Sequence, residues 1–145
     1  MYSAIDIAKY IIDKCTVENQ PVSNLQLQKI LYFIQINYIR LQNCVAFDEP
    51  MEAWQHGPVI PDVYNEFVDC GGTKIHRLYE NKRKMFKNPM DKSIVDALTD
   101  RCRSMNPWEL VARSHKVGSP WEKIYNGYKR EIPKEVIYNY AIRNN

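Results

Sequence analysis

The stretch that most constrains this chain is NLQLQKILYFIQINYIRLQ, residues 24 to 42. On a helical wheel Leu27, Ile30, Leu31, Ile34, Tyr38 and Leu41 fall in one sector, and Leu25, Tyr32, Ile36 and Ile39 in another. A helix with two apolar faces must pack on both sides, so this one belongs in the middle of a bundle. Gln28, Gln35 and Gln42 recur every seventh residue and form a polar seam between the sectors. That seam reads either as a hydrogen-bonded, half-buried edge or as a stripe facing a partner. Lys29, Asn37 and Arg40 mark the wetter side.

Around this segment the chain reads as further helices with recognisable ends. Ser3 with Asp6 opens a first helix, and Asn19, Gln20 and Pro21 close it. Ser23 stands ready to cap the central helix, which fades near Gln42 and Asn43. From Val45 to Val59 helical periodicity fails, and Pro50 with Gly57-Pro58 punctuates one or two short strands or a small hairpin. Pro61 begins a third helix with Tyr64, Phe67 and Val68 as its apolar stripe, ending at Gly71-Gly72. A fourth starts near Asp91. Asn106-Pro107 and Ser119-Pro120 open two short helices, and a last helix starts near Pro133. Trp108 and Trp121, with Pro120, are expected to be largely buried, joining the last helices to the central one. The expected architecture is one mainly α domain over residues 1–145, with a short β element at roughly residues 45–60.

Composition narrows the function classes. A hydrophobic share of 45% and a charged share of 26% belong to an ordinary soluble protein. The net charge of +3 is too slight to argue for nucleic acid or membrane without a local patch. No window approaches the roughly 18 to 20 uncharged apolar residues of a membrane span. The N-terminal segment, broken by charges, does not read as a signal peptide. Cys15, Cys44, Cys70 and Cys102 form no CxxC pair and read as reduced thiols, so a cytoplasmic location is expected. His56, His76, His115 and the cysteines show no metal-ligand spacing, and no glycine-rich phosphate loop is present. No metal, cofactor or catalytic residue is therefore expected. A hydrolase would require His56 or His115 to approach a Cys, Asp or Glu in space.

Two segments remain as candidates for recognition. Residues 73–90 carry Lys82, Arg83, Lys84 and Lys87 in the least periodic stretch of the chain. This is either a solvated loop or a patch for an acidic partner. Operator DNA is a weaker reading, in which Arg101 and Arg103 would join the lysines of an autoregulator. In WQHGPVIP, residues 54–61, Gly57 permits backbone geometry denied to other residues while Pro58 and Pro61 stiffen the chain. Such a turn either displays Trp54 and His56 or packs Trp54 inward. The residues expected to meet a partner are Gln28, Gln35, Gln55, His56 and Tyr64, with Lys82, Arg83 and Lys84.

Several motifs resemble one family in the right order. Leu25 to Phe33, with Leu27, Lys29 and Tyr32, is similar to the LQKLLYF-type opening of the SocA-like antitoxins, or Panacea domain, also met as phage-associated GepA-like proteins. Phe47 to Pro50 and Glu52 to Pro61, with Trp54, Gly57, Pro58 and Pro61, then Tyr64 and Phe67, resemble its second signature. Leu110, Ser114, His115, Pro120 and Trp121 resemble a third, and Glu131 to Tyr140 its closing helix. Ser114 stands where the family commonly has threonine, and residues 73–90 have no clear counterpart. The resemblance implies a non-enzymatic antitoxin of a two-gene module, common on prophages, that neutralises a cognate toxin by direct contact. Most of these motif residues would then serve the architecture. Neither the toxin nor the oligomeric state follows from it.

Overall fold

The computed structural model describes residues 1–143. Among them lie seven α-helices: α1 (Ala4–Val17), α2 (Asn24–Gln42), α3 (Pro61–Glu66), α4 (Pro89–Arg103), α5 (Pro107–Ser114), α6 (Pro120–Ile124) and α7 (Lys134–Arg143). Three short strands accompany them: β1 (Met51–Trp54), β2 (Gly57–Val59) and β3 (Arg130–Ile132). The protein is mainly α with a small β element.

The helix ends follow from local chemistry. Ser3 Oγ accepts from the Asp6 amide at 3.4 Å and starts α1. At α2 the Gln26 amide donates to Ser23 Oγ at 3.3 Å and the Ser23 amide to Gln26 Oε1 at 2.9 Å, a reciprocal capping box. Asn43 closes α2 in the left-handed conformation, φ 60°. Asn106 and Ser119 cap α5 and α6, each with proline at the first helical position. The third helix is shorter than the sequence predicts. It stops at Glu66 and a 3₁₀ turn, Val68–Cys70, carries the chain to Gly71. Phe67 is buried, whereas Val68 points to solvent.

Helix α2 is the axis of the molecule. It packs against α1, α3, α4, α5, α7 and β2, and thirteen of its nineteen residues are buried. Each fully buried Leu or Ile there contributes about 1.5–3 kcal/mol. Two wheel assignments need correction. Lys29, placed on the wetter side, is 0% exposed because β2 and α5 close over that azimuth. Leu41, placed in the main apolar sector, is 64% exposed: it lies in the last turn, beside Pro89 and Met90, where the core has run out.

The strands form one antiparallel sheet in the order β2-β1-β3. Trp54 pairs with Gly57 across the two-residue turn Gln55-His56, and Met51 pairs with Ile132 on the other side. Strand β3 has no counterpart in the sequence reading, since three residues are too short to show a period. It ties residues 130–132 to the hairpin and so brings the two halves of the chain together.

The basic segment is strapped to α1 rather than free. Asp13 accepts from the Tyr79 amide at 2.8 Å and from Arg83 at 2.7 and 3.2 Å, and Lys82 reaches Asp6 at 2.9 Å. Hydrogen bonding from Arg83 holds the buried Asp13 carboxyl below the usual carboxylate range. Lys84 and Lys87 stay exposed.

Candidate partner-binding site

The turn from Trp54 to Pro61 is pinned to α2 by side chains that point inward. Gln28 Oε1 accepts from the Ile60 amide at 2.9 Å, and its amide nitrogen donates to Asn24 Oδ1 at 2.9 Å. Asn24 in turn donates to the Tyr64 carbonyl at 3.1 Å, so a polar relay joins α2 to the turn and to α3. Gln35 does the same one heptad later, donating to the Phe47 carbonyl at 2.8 Å and accepting from the Ala46 amide at 2.9 Å. At Gln28 and Gln35 the glutamine seam is buried and internally satisfied, while Gln42 is half-buried and donates to Asp91 at 3.4 Å. Gln28 and Gln35 are 1% and 5% exposed, which leaves them inside the domain rather than displayed to a partner.

Behind the turn sits Lys29. Its Nζ donates to the Pro58 carbonyl at 3.1 Å, and no carboxylate is bonded to it among the described residues. Burial pushes its amine down to about 7. Gly57 makes this packing possible. Its φ is +112°, in the region that favours glycine, and a Cβ there would fall 2.6 Å from Ser114 Oγ and 2.8 Å from Lys29 Cε. Lysine, glycine and serine therefore touch across three elements.

An amine shifted toward its neutral form near a serine hydroxyl resembles part of a nucleophilic pair. Here Ser114 Oγ is fully buried and donates to the Val111 carbonyl at 2.7 Å, so it lacks the access that chemistry needs. His115, one residue on, stacks flat on Trp121 at 3.6 Å and 7°. Burial, then the charges of Lys29 and His56, hold its imidazole below the ordinary histidine value. Cys15 and Cys102 are buried, and burial pushes both thiols up, Cys102 to about 11, which disfavours the thiolate. Among the described residues no group of three or more His, Cys, Asp or Glu is arranged to hold a metal.

The outer surface of the turn is aromatic. Trp54 meets Tyr64 edge to face at 4.9 Å, and Lys129 Nζ lies 3.7 Å above the Trp54 ring. Trp54 Nε1 donates to Glu52 at 2.8 Å, which fixes the indole. Across the cleft His56 meets Trp108 edge to face at 5.2 Å. Together these rings border a cavity of about 620 Å³, floored by Asn24, Gln28 and Lys29 and bounded by the Gly71-Gly72 backbone.

Trp108 corrects an expectation: it is 59% exposed, not buried. It sits in the first turn of α5, well round the helix from the fully buried Leu110 and Ser114. Trp121 is half-buried and joins α6 to the hairpin, its indole donating to the Trp54 carbonyl at 2.6 Å, while Pro120 beneath it is buried. Of the residues expected to meet a partner, Gln55 and His56 are exposed and Tyr64 is half-buried beside the cavity. Lys82, Arg83 and Lys84 lie elsewhere, on the strap over α1. Trp108 and Lys129 were not expected at this site. Trp108 carried only the general signal of a large aromatic, and Lys129 carried none.

No helix of the described residues is long and apolar enough to cross a membrane. Among solved structures none matches this chain. A curated relative, Antitoxin SocA of Caulobacter vibrioides (strain NA1000 / CB15N), is 37% identical over 65 residues, covering 45% of this chain and 35% of that protein. The chain thus spans about a third of that relative's length. The family model described as Antitoxin SocA-like, Panacea domain, matches residues 27–122, which run from α2 through the turn and cavity to Trp121. The shared stretch holds most of the central helix, the turn and the rings of Trp54, Tyr64 and Trp108, with Asn24 and Lys129 outside it, and the chain belongs to the SocA-like, Panacea-domain antitoxin family.

Proposed function

We propose that this chain, acting as one domain in the cytoplasm, neutralises a partner toxin by direct, non-catalytic binding, and that the neutralising surface is the aromatic rim of the cavity beside the Trp54–Pro61 turn. Membership of an antitoxin family supports the first half. The observation that carries the second is the exposure of Trp108, 59%, beside a cavity walled by Trp54 and Tyr64. An exposed tryptophan at the edge of a preformed pocket is the kind of residue that dominates association energy. The turn is held by buried hydrogen bonds, so little backbone entropy remains to be lost when a partner docks.

The basic strap fits this role less well, because Lys82 and Arg83 are already engaged with Asp6 and Asp13. Trp108→Ala and His56→Ala test the proposal. Each is expected to abolish protection of cells expressing the cognate toxin, while the melting temperature stays within a few degrees of wild type. Full protection by both variants would refute the surface.

A further inference from the structure

The proposed surface has a charge pattern that points to the chemistry of its occupant. The ionisable groups lining the cavity are Lys29, His56, Lys129 and the phenol of Tyr64, and no aspartate or glutamate lines it. Four other lysines of this protein bond acids: Lys14 bonds Glu18, Lys82 Asp6, Lys92 Asp96 and Lys134 Asp48. Lys29 and Lys129 do not, among the described residues. Lys29 is the sharper case, because it is fully buried at the cavity floor and has one acceptor, the Pro58 carbonyl, for its donors. The charged form of a buried amine without a counter-ion is costly, and a negative charge brought nearby favours that form. The remaining walls are the rings of Trp54, Tyr64 and Trp108, which suit a bulky apolar group.

Resting on the reading that this face meets the toxin, we propose that the cavity receives an acidic side chain of that toxin, an Asp or Glu set beside a bulky apolar residue. The carboxylate faces the Lys29–Lys129 side and the apolar neighbour lies against the indoles. The acid need not touch Lys29. In a cleft walled by rings, attraction acts over a longer range than in open water.

The test uses the full chain, labelled with nitrogen-15, and two blocked tripeptides: acetyl-Leu-Glu-Phe-amide and its Gln isostere. The chain has three tryptophans, so three indole N–H signals report separately. Trp54 and Trp108 line the cavity, whereas the Trp121 indole is bonded to the Trp54 carbonyl. The glutamate peptide is expected to shift the Trp108 and Trp54 signals and to bind at least ~5-fold tighter than the glutamine peptide at low salt. Lys29→Met is expected to remove most of that preference. Lys129→Gln, on the surface and safe for folding, is expected to reduce it at least ~2-fold, and carries the test if Lys29→Met fails to fold. Equal binding of the two peptides, or an unchanged preference in Lys129→Gln and in folded Lys29→Met, would overturn the inference. A clear glutamate preference alongside full cellular protection by Trp108→Ala would remove the toxin as the source of the acid. Loss of protection with equal peptide binding would leave the surface and refute the acidic occupant.

Discussion

Lys29 makes a quantitative prediction about stability. Its amine falls from 10.5 to about 7 in the fold, because burial disfavours the charged form. The sign follows from counting protons. Between about pH 7 and 10 the unfolded chain holds this proton and the folded chain does not, so stability rises with pH across that window. Below about pH 7 the penalty is fully present. At one pH unit per 1.36 kcal/mol it amounts to about 4–5 kcal/mol, taken as an upper bound. Lys29→Met keeps the volume and removes the charge, at the cost of one hydrogen bond to Pro58, about 1 kcal/mol. The variant should therefore be more stable than wild type at pH 7, by about 3 kcal/mol, and that advantage should vanish by pH 10. The assay is urea unfolding of both proteins at half-unit steps from pH 7 to 10. Staying above pH 7 avoids His115, whose own proton is coupled to Lys29. Parallel stability curves would show that the Lys29 proton is not linked to folding, and the argument would fail.

Other substitutions separate the structural roles. Gly57→Ala meets both a positive φ and a Cβ 2.6 Å from Ser114 Oγ, and should cost at least ~2 kcal/mol, read as a fall in melting temperature. Arg83→Glu leaves the buried Asp13 facing a like charge and should lower the midpoint of a denaturant titration, an effect moderated by solvent because Arg83 is itself 45% exposed. Lys84→Glu, exposed beside it, should change stability by less than ~0.5 kcal/mol in the same titration. Trp121→Ala removes the stack on His115 and the bond to Trp54, and should cost about 3 kcal/mol, with the His115 ring proton signals moving to unstacked positions.

Much of the architecture is legible in the residues. Caps at Ser3, Ser23, Asn106 and Ser119 announce their helices through side-chain chemistry that acts over three residues. The doubled apolar face of α2 announces a central helix. What escapes is anything decided by a distant element. Lys29 lies on an azimuth that looks polar until β2 and α5 close over it. Trp108 looks like core because tryptophan usually is, yet the first turn of α5 faces the cleft. Strand β3 exists only because β1 offers an edge to it. The candidate site was half visible. The turn and Tyr64 carried local signals, while Trp108 and Lys129 join them only through the folding of residues 107 to 129 onto the hairpin.

The sheet order and the position of α2 also bear on how the protein is made. Strand β1 cannot gain its second neighbour, nor α2 its α7 flank, until residues 130–143 have been synthesised. During translation the α7-facing side of α2 therefore waits uncovered while the rest of the chain emerges, at roughly 5–20 residues per second. For that interval of about 5–20 seconds the nascent protein is a client for chaperones and proteases rather than a finished binder. A ribosome stalled before residue 130 would yield a product lacking the α7 cover on α2 and the third strand of the sheet. The supply of active protein thus depends on completed synthesis, which couples its abundance to the health of translation.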